Sequence, residues 1–153
     1  MNSEISSQTT RDVIVIGGGP AGSTMASRLA ELGWNVTLFD KDNHPRFHIG
    51  ESLLPRNLPI LKHLGVLDAV EKMAVKKLGA DLALPNRQNY RKFEFAEANK
   101  AHPHAYQVKR AEFDHLLLNT ARDKGASVFE GMKVTNVSFE QQDAVHVSTR
   151  DDT

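Results

Sequence analysis

Six residues near the amino terminus, Gly17-Gly18-Gly19-Pro20-Ala21-Gly22, have the spacing G-x-G-x-x-G. Such a loop can hold a pyrophosphate: Gly17 permits a tight turn, Gly19 lets the backbone approach the phosphates, and Gly22 lets a helix pack closely on a strand. Amide groups at the start of the helix then face the anion. Pro20 suits the first turn of that helix, where an N–H has no intrahelical partner.

A carboxylate follows at the sequence spacing that is typical of a dinucleotide site. Asp40 lies 18 residues after Gly22, close to the ~20 expected of an acid that binds a ribose hydroxyl. The same charge argues against a bound 2′-phosphate and therefore against NADP. The alternative is a glycine-rich turn with an unrelated surface aspartate. The order of strand, loop, helix, strand and acid favours dinucleotide binding.

The segments around this loop predict a β-α-β unit. Residues 13–16 are apolar and β-branched, typical of a strand buried on both faces of a parallel sheet. A helix is predicted over residues 21–32, ended by Gly33, from apolar residues at helical spacing, namely Met25, Ala26, Leu29 and Ala30. Residues 35–39 predict the second strand. The unit indicates an α/β fold, a Rossmann-like doubly wound parallel sheet.

Beyond Asp40 the pattern departs from regular βα units for about 70 residues. We expect an irregular segment, then one or two helices over residues 53–74 around a break at 64–66. A β excursion follows, with strands near 80–84 and 92–96 and a turn at Pro85-Asn86.

The chain then returns to the sheet. A helix is predicted over residues 110–124, ended by Gly125, and a strand over 126–130. Two antiparallel strands follow, carrying Val134, Val137 and Phe139, then Val145, Val147 and Thr149. About three core parallel strands result, where doubly wound domains have five or six. The fold is therefore expected to be incomplete at the carboxyl terminus, with a turn beginning at residues 150–153.

Three separated segments resemble a known family. They read VIGGGPAG over residues 15–22, PRFHIGESLLP over 45–55 and YQVKRAEFD over 106–114. Together they resemble the flavin-dependent halogenases and their relatives, within the FAD-monooxygenase and geranylgeranyl-reductase-like superfamily. The resemblance covers roughly residues 11–140, and GESLLP is its most specific part. It implies FAD rather than NAD as the cofactor.

The resemblance also implies how FAD is held. The implied contacts at the pyrophosphate are Gly17, Gly19, Pro20, Ala21 and Gly22. Asp40 with Lys41 would bind the adenosine ribose, and the backbone of Val134 would contact adenine. Arg46 and the Gly50-Glu51-Ser52 turn would lie beside the flavin or its linker, with Gln107 and Arg110 on the other side of the cofactor. The planar donor forks of Arg46 and Arg110 suit phosphate or ribityl groups. For both arginines the alternative is a surface charge.

Lys77 is the candidate catalytic residue. It lies 26 residues after Glu51 and resembles the lysine that faces hypohalous acid in flavin halogenases. An ammonium there could hydrogen-bond or carry the oxidised halogen, because the pKa of a lysine shifts readily on burial. The alternative is a solvated lysine at a helix end.

The implied function is an FAD-dependent oxidoreductase acting on a small organic substrate. It is either a hydroxylase or halogenase using reduced flavin and oxygen, or a reductase of an isoprenoid-like substrate. A flavin reductase or NAD(P)H would supply the electrons. A non-catalytic FAD-binding module and an NAD-dependent dehydrogenase module are the alternatives. Residues 1–10 are expected to be a disordered lead-in, and residues 11–153 the N-terminal part of an FAD-binding domain without its second flavin motif and substrate domain.

Composition excludes several other classes. The 153 residues contain no cysteine, which excludes disulfide scaffolds, Cys-based zinc sites and dithiol redox centres. The net charge of +0 gives no general attraction for nucleic acid or anionic membranes. The histidines at 44, 48, 102 and 104 lack metal-ligand spacing, so no metal is expected. Without a signal peptide or an apolar run of ~20 residues, the expected location is cytoplasmic.

Overall fold

The computed structural model describes residues 9–83, 90–140 and 143–151. The chain divides into two compact units, one formed by Met1–Asp42 with Ala121–Thr153 and the other by Asn43–Thr120. In chain order the elements are β1 (Val13–Ile16), α1 (Pro20–Glu31), β2 (Val36–Phe39), α2 (Asn57–Leu64), α3 (Leu67–Met73), β3 (Val75–Lys77), β4 (Gly79–Ala83), β5 (Tyr90–Glu94), α4 (Phe95–Ala98), β6 (Ala105–Gln107), α5 (Arg110–Asp123), β7 (Ser127–Phe129), β8 (Met132–Ser138) and β9 (His146–Asp151). Within the described ranges, no helix is long and apolar enough to cross a membrane.

A three-stranded parallel sheet forms the centre of the first unit, in the order β1-β2-β7. Its central strand, β2, is buried at Val36, Thr37 and Leu38. At the carboxyl end of that strand the rings of Phe39 and Phe129 stack with centroids 5.5 Å apart. The predicted β-α-β unit and the three parallel strands are confirmed.

The burial expected for β1 was wrong. Ile16 is 55% exposed, and the other three residues of the strand are half-buried. Among the strands of the described residues, β1 pairs with β2 alone. Its apolar β-branched composition therefore predicted a strand correctly, but it did not predict how many neighbouring elements cover that strand.

Helix α1 buries a face made of small residues. Ser23, Ala26 and Ser27 are its buried positions, whereas Met25, predicted on the apolar face, is 54% exposed. The reason lies at Gly22, where a Cβ would stand 1.9 Å from the carbonyl oxygen of Gly17. Only small side chains allow the helix to lie that close to the strand and loop.

The second unit has its own apolar core, built mainly from α2, α3, α4, β6 and the first part of α5. Its buried members are Leu58, Leu61, Leu64, Val66, Val70, Phe95, Ala105, Tyr106, Val108, Phe113 and Leu117. The predicted break between the two helices is confirmed, because Gly65 ends α2 with a φ of 81°. The predicted helix over residues 110–124 is observed as Arg110–Asp123.

The β excursion differs in part from its prediction. Strands β4 and β5 pair antiparallel, but the second strand ends at Glu94 and the next four residues form α4. Burial of Phe95, which is 4% exposed, explains this turn away from the strand direction. Leu84 and the turn at Pro85-Asn86 lie outside the described residues. An additional antiparallel pair, β3 with β6, was not predicted.

The last two strands, β8 and β9, pair antiparallel as predicted. The ladder contains an irregularity between Val134 and Asn136. A turn was predicted to begin at residue 150, but β9 continues through Asp151. The final two residues, and most of the predicted lead-in over residues 1–10, lie outside the described residues.

Candidate cofactor-binding site

The glycine loop links β1 directly to α1. The amide of Gly17 donates to the carbonyl of Phe39 at 2.8 Å, and its φ of 103° is a value that glycine adopts readily. Gly19 has φ −72° and ψ −177°, an extended conformation open to any residue. Apart from the glycine itself and its two chain neighbours, no residue in the described part of the chain places a heavy atom within 4 Å of an ideal Cβ built on Gly17 or Gly19. Both positions therefore face space that a ligand can approach.

The start of α1 suits an anion. Its N-cap is Gly19, which has no side chain to cap the first-turn amides, and Pro20 occupies the first turn. The first turn of α1, all of it described, carries no acidic side chain. First-turn amides have no intrahelical acceptor, and the helix dipole favours negative charge at this end. The residues present therefore fit a pyrophosphate, and the contacts expected of Ala21 and Gly22 stay predictions.

Ser23 fixes the shape of this loop and was missed from the sequence. Its hydroxyl donates to the carbonyl of Gly18 at 2.9 Å, and its amide donates to the carbonyl of Gly19 at 2.9 Å. The side chain is fully buried. Two loop carbonyls are thus turned toward the helix. A serine immediately after the third glycine was the available signal.

Asp40 directly follows β2 and is hydrogen-bonded to the glycine loop. One carboxylate oxygen accepts the amide hydrogen of Gly18 at 2.5 Å, and the other accepts that of Asp42 at 2.9 Å. The residue is 4% exposed. The ribose contact expected of Asp40 stays a prediction. Lys41, the expected companion, is exposed.

Val134 lies on β8 in the same unit as Asp40. It is half-buried and is paired with Thr149 at the point where the ladder becomes irregular. The first residue of β8 is held next to the residue that follows β2, because the amide of Met132 donates to the carbonyl of Asp40 at 2.9 Å. The adenine contact expected at Val134 stays a prediction.

In the second unit, the Gly50-Glu51-Ser52 turn lies beside the end of β6. Main-chain hydrogen bonds join the amide of Val108 to the carbonyl of Glu51 at 2.9 Å and the amide of Leu53 to the carbonyl of Tyr106 at 2.8 Å. Ser52 and Gln107 form an isolated antiparallel β-bridge. The structure thus brings together two segments that lie more than fifty residues apart in sequence.

Three side chains continue this contact as a hydrogen-bond chain. The Ser52 hydroxyl donates to Gln107 Oε1 at 2.6 Å, and Gln107 Nε2 donates to Glu51 Oε2 at 3.2 Å. The chain fixes which way the Gln107 amide faces. Glu51 and Ser52 are exposed and Gln107 is half-buried, so all three remain accessible to a ligand.

Arg110 begins α5 and is engaged mainly by protein groups. Its Nε and Nη2 donate to the two oxygens of Asp114 at 2.7 and 2.9 Å. Its Nη1 donates to the carbonyl of Ile49 at 2.8 Å. Hydrogen bonding to Asp114 raises the pKa of Arg110, against the opposing effect of burial. Sequence reasoning missed Asp114, although its i,i+4 spacing from Arg110 was visible.

Arg46 lies in the segment between β2 and α2, after the cis His44–Pro45 peptide bond. Its side chain is half-buried. The neighbouring apolar side chains are not: Phe47 is 86% and Ile49 78% exposed. The flavin-side role expected of Arg46 stays a prediction.

Lys77 ends β3 and is half-buried. Its Nζ lies 5.4 Å from the centroid of the Phe95 ring, a cation–π distance. The alternative placed Lys77 at the end of a helix. That placement was wrong, because Lys77 lies on a strand and pairs with Ala105 of β6. The neighbouring Lys76 is exposed. Its catalytic role stays a prediction.

Comparison with known proteins decides the family. Residues 10–153 match the family model described as FAD binding domain. The chain belongs to the FAD-binding domain family. FAD is its cofactor, as the three segments indicated, and the alternative of an NAD module is set aside.

The curated relatives of this FAD-binding domain include flavin-dependent halogenases. It is 38% identical over 129 residues to the flavin-dependent halogenase rdc2 of Metacordyceps chlamydosporia, a match over 84% of this chain and 24% of that protein. It is 44% identical over 134 residues to the flavin-dependent halogenase armH3 of Armillaria mellea, over 84% and 25%. The chain thus spans about a quarter of the length of these relatives.

Solved structures give the same family. The domain is 39% identical to the myxobacterial chondrochloren halogenase CndH, with a TM-score of 0.84 over 93% of this chain and 33% of that one. The flavin-dependent halogenase CmlS is also 39% identical, with a TM-score of 0.84 over 96% and 27%. The resemblance to the halogenase and monooxygenase superfamily is confirmed.

Proposed function

We propose that this domain is the FAD-binding part of a flavin-dependent oxidoreductase of the halogenase or monooxygenase type, acting on a small organic substrate. The observation that carries the proposal is the glycine loop, where open space at Gly17 and Gly19 adjoins the first turn of α1. The halogenase relatives, at 38% to 44% identity, support the reaction class.

The proposed binding roles follow from the position of each group. The amides of Ala21 and Gly22 bind the pyrophosphate, and Gly17 and Gly19 leave room for it. Asp40 accepts ribose hydroxyls beside Lys41, and the backbone of Val134 contacts adenine. Arg46, Gln107 and the Gly50-Glu51-Ser52 turn bind nearer the flavin. FAD supplies the redox chemistry when bound, while the protein positions it.

Lys77 is proposed to hydrogen-bond the oxidised halogen. Two observations support a positioned rather than a freely solvated ammonium: the side chain is half-buried, and its Nζ lies 5.4 Å from the centroid of the Phe95 ring. Electrons are proposed to come from a flavin reductase or from NAD(P)H. The cytoplasmic location expected from the sequence stays a prediction.

Purification followed by an absorption spectrum tests the proposal. The visible bands of oxidised flavin are expected in the wild-type protein. Gly19→Val should abolish FAD binding while leaving the fold intact, because the residue has an extended conformation and open space around its Cβ position. Ala101→Val, at an exposed position, is the control for added volume. Unchanged flavin content in Gly19→Val would refute the loop assignment.

A further inference from the structure

Arg110 was expected to hold the cofactor, but its donors are largely committed to protein. Two of its N–H groups go to Asp114, and Nη1 reaches the carbonyls of Ile49 at 2.8 Å and Gly50 at 3.4 Å. A guanidinium has five N–H donors. Four contacts with protein acceptors leave one N–H for a ligand. The cofactor contact expected of Arg110 stays a prediction, and the four contacts show that the side chain also has a role within the protein.

We infer that Asp114 and Arg110 are positioning residues that hold residues 49–52, the 49–52 turn, in the conformation that binds FAD. Arg110 links α5 to the two carbonyls that open this turn. Asp114 orients the guanidinium from the next turn of the same helix. The inference deepens the proposed function and rests on it for the identity of the ligand.

The buried position of Asp114 supports a clamp rather than a surface ion pair. The Asp114 side chain is 0% exposed and that of Arg110 is 11% exposed. A buried pair costs desolvation that an exposed pair does not, and removing one partner leaves the other charge uncompensated. The bidentate geometry also fixes the plane of the guanidinium. The pairing with Asp114 therefore holds the Arg110 side chain in the rotamer that points Nη1 at the turn.

Gly50 is fitted to the guanidinium. Its φ is 98°, in the left-handed region that disfavours other residues. A Cβ built there would lie 3.1 Å from Arg110 Nη1, tighter than ordinary van der Waals contact. The glycine thus allows both the positive φ and the close approach of the cation.

Movement of the turn would be transmitted to every group that it carries. Glu51 and Ser52 follow Gly50 immediately and are hydrogen-bonded to Gln107. The carbonyl of Glu51 also accepts the amide of Val108. Loss of the clamp should therefore loosen a defined set of hydrogen bonds in the second unit, while the glycine loop keeps its own bonds through Ser23.

Hydrogen exchange in Arg110→Lys tests this separation. Lysine keeps a positive charge beside Asp114 but lacks the planar fork that also reaches the two carbonyls. We expect the amides of Leu53 and Val108 to exchange roughly tenfold faster, with that of Ser23 unchanged, and FAD to bind roughly tenfold more weakly. FAD affinity measured well below the melting temperature separates positioning of the site from a loss of overall stability.

Asp114→Asn provides a second variant, since it keeps shape and removes the charge that orients Arg110. Glu112→Gln is the matched control, because Glu112 lies on the same helix and pairs with Lys109 in an exposed ion pair. Thermal melting checks that each variant is folded. Unchanged exchange at Leu53 and Val108 in the two clamp variants would overturn the inference.

Faster exchange with unaltered FAD affinity would overturn the cofactor-positioning role as well, and the turn would then be held for stability alone. Failure of the proposed function gives a different result. In that case Gly19→Val would retain flavin, whatever the exchange rates in the 49–52 turn.

Discussion

The carboxylate of Asp40 and the amide of Gly18 are joined by a hydrogen bond of 2.5 Å. The bond connects the end of β2 to the middle of the glycine loop. The second carboxylate oxygen accepts the amide of Asp42. Asp40 is therefore an internal support of the phosphate loop in addition to its proposed role at the ribose.

Asp40→Asn should disturb this support. An amide side chain has one acceptor oxygen, so its NH₂ group would face the N–H of either Gly18 or Asp42. We expect a loss of about 1–3 kcal/mol in the free energy of unfolding and weaker FAD binding. Denaturant unfolding and FAD titration measure the two effects. Asp123→Asn, at an exposed position, is the control, and equal unfolding midpoints for the two variants would contradict the prediction.

Gly22→Ala and Gly19→Ala should fail for different reasons. A Cβ at Gly22 would lie 1.9 Å from the backbone oxygen of Gly17, so helix and loop must separate, at a cost of about 1–3 kcal/mol. Gly19→Ala has room and an allowed conformation, and should lose FAD affinity while melting close to the wild type. Melting curves with and without FAD measure this contrast. A normal melting temperature for Gly22→Ala would contradict the close contact.

Tyr106 should make stability sensitive to alkaline pH. Burial, followed by the hydrogen bond to Glu71, raises the pKa of Tyr106 to about 12. An unfolded tyrosine ionises near ~10, so the contribution to stability is complete below that pH and is lost as pH rises from about 10 to about 12. Unfolding measured across this range in wild type and Tyr106→Phe provides the check. The phenylalanine variant should lose this part of the pH dependence, and an unchanged profile would contradict the assignment.

In the complete enzyme to which the proposed function assigns this domain, Lys77→Met should abolish halide incorporation without loss of FAD. Lys76→Met is the matched control, because Lys76 precedes it on the same strand but is exposed. Product analysis by mass spectrometry, together with flavin content, distinguishes catalysis from cofactor binding. Equal amounts of halogenated product from the two variants would contradict the proposed role of Lys77.

Local sequence patterns predicted the first β-α-β unit because its signals are contiguous. The apolar run of β1, the glycines and the cap at Gly33 each depend on nearby residues. The pairing of β3 with β6 was not predictable in this way, since each strand has three residues and they lie about thirty positions apart. Composition does not specify such a contact. The expectation that β1 was covered on both sides failed for a related reason, because burial depends on neighbouring strands.

Within the candidate site, residue types that suit FAD were visible, but their supporting groups were not. Asp114 had a visible i,i+4 spacing from Arg110, and Ser23 follows the third glycine. Carboxylates and serines are usually exposed, so neither signal indicated that the residue would be buried. The structure shows both fully buried and hydrogen-bonded. Arg110 was expected at the cofactor because of the resemblance to flavin-dependent halogenases, and its two hydrogen bonds to Asp114 became apparent from the structure.

The hydrogen bonds of Ser23 to the carbonyls of Gly18 and Gly19 bear on the thermodynamics of ligand capture. Ordering a flexible loop costs about 1–2 kcal/mol per residue in conformational entropy. The loop is already held by Ser23 and Asp40, so that entropy is lost during folding rather than at association. FAD should consequently meet a rigid receptor, with an association rate governed by encounter and desolvation instead of loop closure.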